Sequence, residues 1–151
     1  MSMTIAEYKE RRERVLNRKT ERRYTDGEYN AYQDWKNGRK VEKLQDFPFH
    51  VREKIRAVIE VLRLKFPQTE TMRLVGSYAK GEYIDEYSTQ AEIEMKEKVR
   101  GYCKFSDIDI EITPKVYDMF HLNDMKIHLM GTSTSSGFNI FEKDTYEMYE
   151  L

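Results

Sequence analysis

The segment Asp107-Ile108-Asp109-Ile110-Glu111-Ile112 alternates acid and isoleucine without a break. Successive side chains of an extended strand point to opposite faces, so this alternation predicts a half-buried strand over Phe105 to Ile112, with isoleucines on one surface and acids on the other. An apolar layer must cover the isoleucine face, while the acidic face must meet water or a ligand. The covering layer is found upstream. Val51, Ile55, Val58, Ile59, Leu62 and Phe66 recur at helical intervals with Arg and Glu between them, which predicts an amphipathic helix over residues 48–66 that Pro67 stops. Thr71 to Val75 then reads as a short strand running into Gly76, and Lys126 to Met130 as another. Gly131 to Gly137 is a Ser/Thr loop before a last apolar segment around Phe138, Ile140 and Phe141. The predicted fold class is α+β: a small mixed β-sheet backed by the helix over residues 48–66.

Residues 1–45 have a different character and read as an N-terminal helical appendage to a main domain at 46–151. Thr4 and Glu7 have capping spacing, followed by a thin apolar stripe of Ile5, Tyr8, Val15 and Leu16. Thr25 and Glu28 repeat that spacing ahead of a short helix that places Tyr29, Tyr32 and Trp35 on one side and that Asn37-Gly38 can terminate. Residues 1–50 carry twelve Lys and Arg against nine acids, whereas residues 107–151 carry three Lys, no Arg and nine acids. Over the whole chain these charges nearly cancel, leaving a net charge of −1, so no global cationic field favours nucleic acid or anionic lipid. The absence of a long apolar stretch or a leader pattern predicts a non-secreted protein without a membrane span, and the single Cys103 fits a cytoplasmic location.

Two segments carry the chemistry. In Gly76-Ser77-Tyr78-Ala79-Lys80-Gly81, the glycine after a strand lets the backbone approach a bulky anion. The Ser77 hydroxyl and adjacent amides can hold phosphate oxygens, and Lys80 can offset their charge. In Ser106-Asp107-Ile108-Asp109-Ile110, two carboxylates at i and i+2 face the same way. Such a pair can share a hard divalent cation, and Mg2+ held by one or two carboxylates commonly takes its other ligands from substrate phosphates and water.

Together these segments resemble the signature of the DNA polymerase β type nucleotidyltransferase superfamily, particularly its minimal bacterial and phage-type members. The resemblance is best over residues 48–130, and Phe138 to Asp144 is similar to the closing strand of the minimal members. It implies that Gly76 and Ser77 hold the triphosphate of an NTP such as ATP, that Lys80 neutralises it, and that Asp107 and Asp109 bind Mg2+ or Mn2+. The implied reaction transfers a nucleoside monophosphate to a hydroxyl acceptor and releases pyrophosphate. Two departures follow from the same comparison. The chain between Ser77 and Asp107 is longer than in the minimal members, making residues 82–104 an insertion that could lie over the site as a lid. The position where the family often has a third acid, on the neighbouring strand, corresponds to His128. Glu111, on the same strand face as Asp109, is a candidate substitute and equally a solvated strand acid.

Competing readings accompany each feature. A scaffold that lost activity could serve as a structural or binding component, with the N-terminal helices docking a protein partner or a second copy. The basic run from Arg11 to Arg23 could contact nucleic acid, or form a solvated helix through pairs with Glu7, Glu10, Glu13 and Glu21. Tyr29, Tyr32 and Trp35 could stack on bases, although helical spacing favours a small core joining the appendage to the main domain. The loop at residues 131–137 could touch phosphate, or serve only as a connection. His50, His121 and Cys103 lack partner spacing and are assigned no role.

Overall fold

A computed structural model of the chain describes residues 3–20, 23–132 and 136–145, without the side chains of residues 14–20. Expectations for Val15 and Leu16, for part of the basic run and for the middle of the Ser/Thr loop therefore lie outside the described residues. The architecture is α+β, as the sequence predicts. Among the described residues the elements follow in the order α1 (Ile5–Thr20), α2 (Asp26–Arg39), α3 (Phe49–Lys65), β1 (Thr71–Val75), α4 (Gly76–Lys80), α5 (Gln90–Arg100), β2 (Ile108–Thr113), β3 (Asp118–Leu122), β4 (Met125–Met130) and β5 (Phe138–Glu142). A short 3-10 turn at Leu44–Asp46 leads into α3.

The strands form one mixed sheet in the order β3-β4-β2-β1-β5. β1 is antiparallel to both β2 and β5, and β4 runs parallel to β2. β3, not anticipated from the sequence, is the antiparallel partner of β4 across a tight turn in which Asn123 and Asp124 both take positive φ. The apolar face of the sheet packs against α3: Val51, Ile55, Val58, Ile59 and Leu62 are fully buried with Met72, Leu74, Ile108, Ile110, Ile112 and Ile127. Ile108, Ile110 and Ile112 alternate with partly exposed Asp109 and Glu111, realising the period of two read from the sequence, although β2 starts at Ile108 and leaves Phe105 to Asp107 ahead of the strand.

The helix expected to stop at Asn37-Gly38 instead continues to Arg39. Gly38 is exposed with open space around it, so its weak helix propensity costs little beyond about 1 kcal/mol. The added turn carries Arg39 into a dock. Its guanidinium donates to the carbonyls of Gly81 at 3.0 Å and Tyr83 at 2.8 Å, and lies 4.5 Å from the Trp35 ring centroid and 3.9 Å from that of Tyr83. Tyr32 is buried and donates to Glu82 at 2.6 Å, while Lys96 of α5 donates to the Glu82 carbonyl at 2.6 Å. Burial acts upward on the Glu82 carboxyl. The Tyr32 hydroxyl and the charges of Arg100, Lys36 and Lys96 act downward and prevail, holding it below the usual glutamate value.

The insertion at residues 82–104 contains α5, which is capped by a reciprocal Thr89–Glu92 box and closed by Gly101 in the left-handed region. Its side chains engage α2 through Trp35 Nε1, which donates to Glu92 at 2.8 Å, and through the Lys98–Glu28 ion pair. Tyr32 and Trp35 thus join α2 to the main body, the core role that their helical spacing favours, whereas Tyr29 is exposed and stacks on Tyr24. On α1, Ile5 and Tyr8 are exposed. No described helix is long and apolar enough to cross a membrane.

Candidate functional site

The end of β1, the start of β2 and the first half of β4 meet at one end of the sheet's central strands. Val75 is opposite Asp109 in the antiparallel pair, and Asp109 is opposite His128 in the parallel pair. Gly76 follows immediately with φ +74, a conformation that strains residues bearing a Cβ. A Cβ at this position would overlap Asp109 Oδ2. The glycine is therefore required twice over, for its backbone angle and for the carboxylate that occupies the space beside it. The glycine turn and the acidic strand, separated by more than thirty residues, are in direct contact.

Within α4, Tyr78 and Ala79 are buried, which leaves Ser77 and Lys80, three positions apart, as the partly accessible side chains. Gly81 at φ +79 closes this short helix against the backbone of Lys36 and Arg39, so the dock made by α2 also fixes the turn that follows Ser77. Lys80 forms no ion pair with Asp107 or Asp109 among the described residues, leaving its ammonium uncommitted to either carboxylate.

The two aspartates are partly accessible, with side-chain exposures of 20% for Asp107 and 25% for Asp109. Asp107 Oδ2 is 4.0 Å from Lys126 Nζ, and Asp109 Oδ1 is 3.3 Å from His128 Nδ1. Burial pushes the Asp109 carboxyl above the ordinary aspartate range. The His128 contact and the more distant Lys104 act against this rise, while the neighbouring Asp107 charge reinforces it. A carboxylate in that condition gains from any cation placed beside it.

Glu111 faces the same side but has a different partner, since Arg73 lies opposite it on β1 with its guanidinium 3.7 Å away. Arg73 also donates to the Gly137 carbonyl at 3.4 Å, tying the end of the Ser/Thr loop to the sheet. Glu111 is thus an internally paired acid rather than the solvated one considered from the sequence. Among the described residues, no group of three or more His, Cys, Asp or Glu side chains could hold a metal ion alone. The donor set at Asp107 and Asp109 fits a cation that brings ligands with it, such as Mg2+ carried on a polyphosphate, and does not form a complete protein cage.

Sequence reasoning missed Lys126, Lys104 and Arg73. Lys126 reaches Asp107 through the parallel register of β2 and β4, which no local pattern encodes. His50, assigned no role, is 3.3 Å from the buried Asp85 carboxylate and packs at a tilt against the Tyr87 ring. Burial raises the Cys103 thiol pKa, which argues against an activated nucleophile. Comparison with protein-family models, with curated proteins and with solved structures yields no match for this chain.

Proposed function

We propose that the chain is a metal-dependent nucleotidyltransferase that moves a nucleoside monophosphate from an NTP to a hydroxyl acceptor. The observation that carries this reading is the contact between Gly76 and Asp109, which joins a phosphate-compatible turn to a paired-carboxylate strand with no room for another side chain. In the proposed reaction the acceptor oxygen forms a bond to the α-phosphorus as the bond to the bridging oxygen breaks. Pyrophosphate leaves and the acceptor proton passes to solvent. Asp107 and Asp109 would hold Mg2+ or Mn2+, which when bound supplies positive charge to the reacting phosphate oxygens. Ser77 donates its hydroxyl to a phosphate oxygen, and Lys80 offsets the remaining charge. Positioning and electrostatics supply the acceleration.

Incubating the protein with Mg2+ or Mn2+ and each labelled NTP, together with candidate protein, small-molecule and nucleic-acid acceptors, tests this reading. The expected result is pyrophosphate release with label on an acceptor, reduced about 1,000-fold or more by Asp107→Asn with Asp109→Asn. Unchanged labelling in that double variant would remove the site from the reaction.

A second reading rests on His128. It occupies the place beside Asp109 where the sequence resemblance expects another acid, and neutral imidazole is a poorer Mg2+ ligand than carboxylate. A scaffold retaining nucleotide binding without turnover would bind labelled NTP in the same experiment and release no pyrophosphate. Its biological role would then be that of a binding or assembly component.

A further inference from the structure

Phe105 lies two residues before Asp107, yet the residue is 65% exposed. An aromatic ring left in water normally belongs to a slack loop, but this one has a fixed base. The next residue, Ser106, is clasped to Ile84 from both sides: its amide donates to the Ile84 carbonyl at 2.9 Å, and its hydroxyl accepts from the Ile84 amide at 2.9 Å. Ile84 itself is buried. The backbone beneath Phe105 is therefore anchored to the core while the ring remains outside it. Of the other aromatic residues considered for stacking, Tyr32 is engaged by Glu82 and Trp35 by Glu92 and Arg39, while the exposed Tyr29 already stacks on Tyr24.

We propose that Phe105 is the stacking platform for the base of the nucleotide whose triphosphate the Gly76–Asp109 site holds, an inference that rests on the nucleotidyl-transfer reading above. Two residues of chain reach at most about 7 Å, a distance comparable with that from a nucleobase to its α-phosphate. Charge around the segment also suits this ligand. Lys104, the preceding residue, contributes a positive charge felt at Asp109, and Lys126 flanks Asp107 on the neighbouring strand. An anionic ligand with a flat aromatic end matches cations and a ring placed in this order. Because every base presents a π-face, the platform tolerates different bases and discriminates chiefly between nucleotides and base-free polyphosphates.

The test compares ATP with inorganic tripolyphosphate, each titrated with Mg2+ into the full chain by calorimetry. Phe105→Ala should weaken ATP binding roughly tenfold and leave tripolyphosphate binding unchanged. Phe105→Trp should retain ATP affinity, with added indole fluorescence that ATP quenches and tripolyphosphate does not. Leu64→Ala, an exposed apolar position near the end of α3, serves as the control and should change neither affinity. If both ligands bind, both are weakened by Asp107→Asn with Asp109→Asn, and neither responds to Phe105→Ala, the platform is refuted while the triphosphate site stands. If neither ligand binds, or the aspartate substitutions leave binding unchanged, the underlying nucleotide reading fails and the platform with it.

Discussion

Gly76→Ala is expected to reduce nucleotidyl transfer at least as severely as loss of both aspartates, and to destabilise the fold by about 2–4 kcal/mol. Two costs combine at this residue. The left-handed backbone at φ +74 penalises any Cβ, and the methyl would enter the space held by Asp109 Oδ2. The chain can relieve the overlap only by rotating the carboxylate away or by moving the end of β1. Either response separates the turn from the acidic strand. A double-mutant cycle divides the two costs: Asp109→Ala in the Gly76→Ala background should recover the steric part of the stability while leaving the backbone part and the catalytic loss. Chemical denaturation of the four proteins, with pyrophosphate release measured alongside, checks this. Strictly additive stabilities would mean that the two residues do not compete for space.

Arg39→Ala should lower stability by about 2–4 kcal/mol, a fall in Tm of roughly 10 °C for a domain of this size. The substitution strips a donor from the Gly81 and Tyr83 carbonyls and removes the cation from between the Trp35 and Tyr83 rings. Arg39→Lys should recover little, because Arg39 Nη1 donates to both carbonyls while the planar guanidinium lies against the Trp35 and Tyr83 rings, and an ammonium has no planar group to stack there. The effect should also reach the site, since Gly81 ends the helix that carries Ser77 and Lys80. Nucleotide affinity is therefore expected to fall with stability, even in the fraction that remains folded. Thermal melts with and without ATP and Mg2+ measure both quantities. A melting temperature within a degree of wild type would show that α2 contributes little to the dock.

The parts of this molecule that could be read from the sequence are those governed by local periodicity. The alternating Asp107 to Ile112 run and the helical spacing from Val51 to Leu62 each require an apolar partner, and they become partners in the fold. The Thr25–Glu28 capping box forms as its spacing predicts. Other signals were present but faint. Thr89, Glu92 and Gly101 mark both ends of α5, yet few apolar residues lie between them to reveal a helix. Asn123-Asp124 carries the turn chemistry that pairs β3 with β4, although the exposed face of β3 obscures its strand pattern.

What could not be read locally is register and docking. Nothing near Lys126 or His128 says that one falls beside Asp107 and the other beside Asp109, because the parallel alignment of β2 and β4 is set by the whole sheet. Nothing in the spacing of Glu111 foretells Arg73 as its partner across β1. The helix-stop reading at Asn37-Gly38 failed because Arg39 gains tertiary bonds that outweigh the weak propensity of one exposed glycine. Phe105 is different: its parity with Asp107, Asp109 and Glu111 suggested one more residue on the acidic face of the strand, whereas β2 begins only at Ile108.

Paramagnetic broadening of backbone amide signals by Mn2+ added with a non-hydrolysable ATP analogue tests directly whether the turn and the acidic strand form one nucleotide site. Broadening should be strongest at Gly76, Ser77, Ile108 and Asp109, and should disappear from all four in the variant combining Asp107→Asn with Asp109→Asn. Broadening centred elsewhere, or persisting unchanged in that variant, would contradict a shared metal–nucleotide site at this end of the central strands.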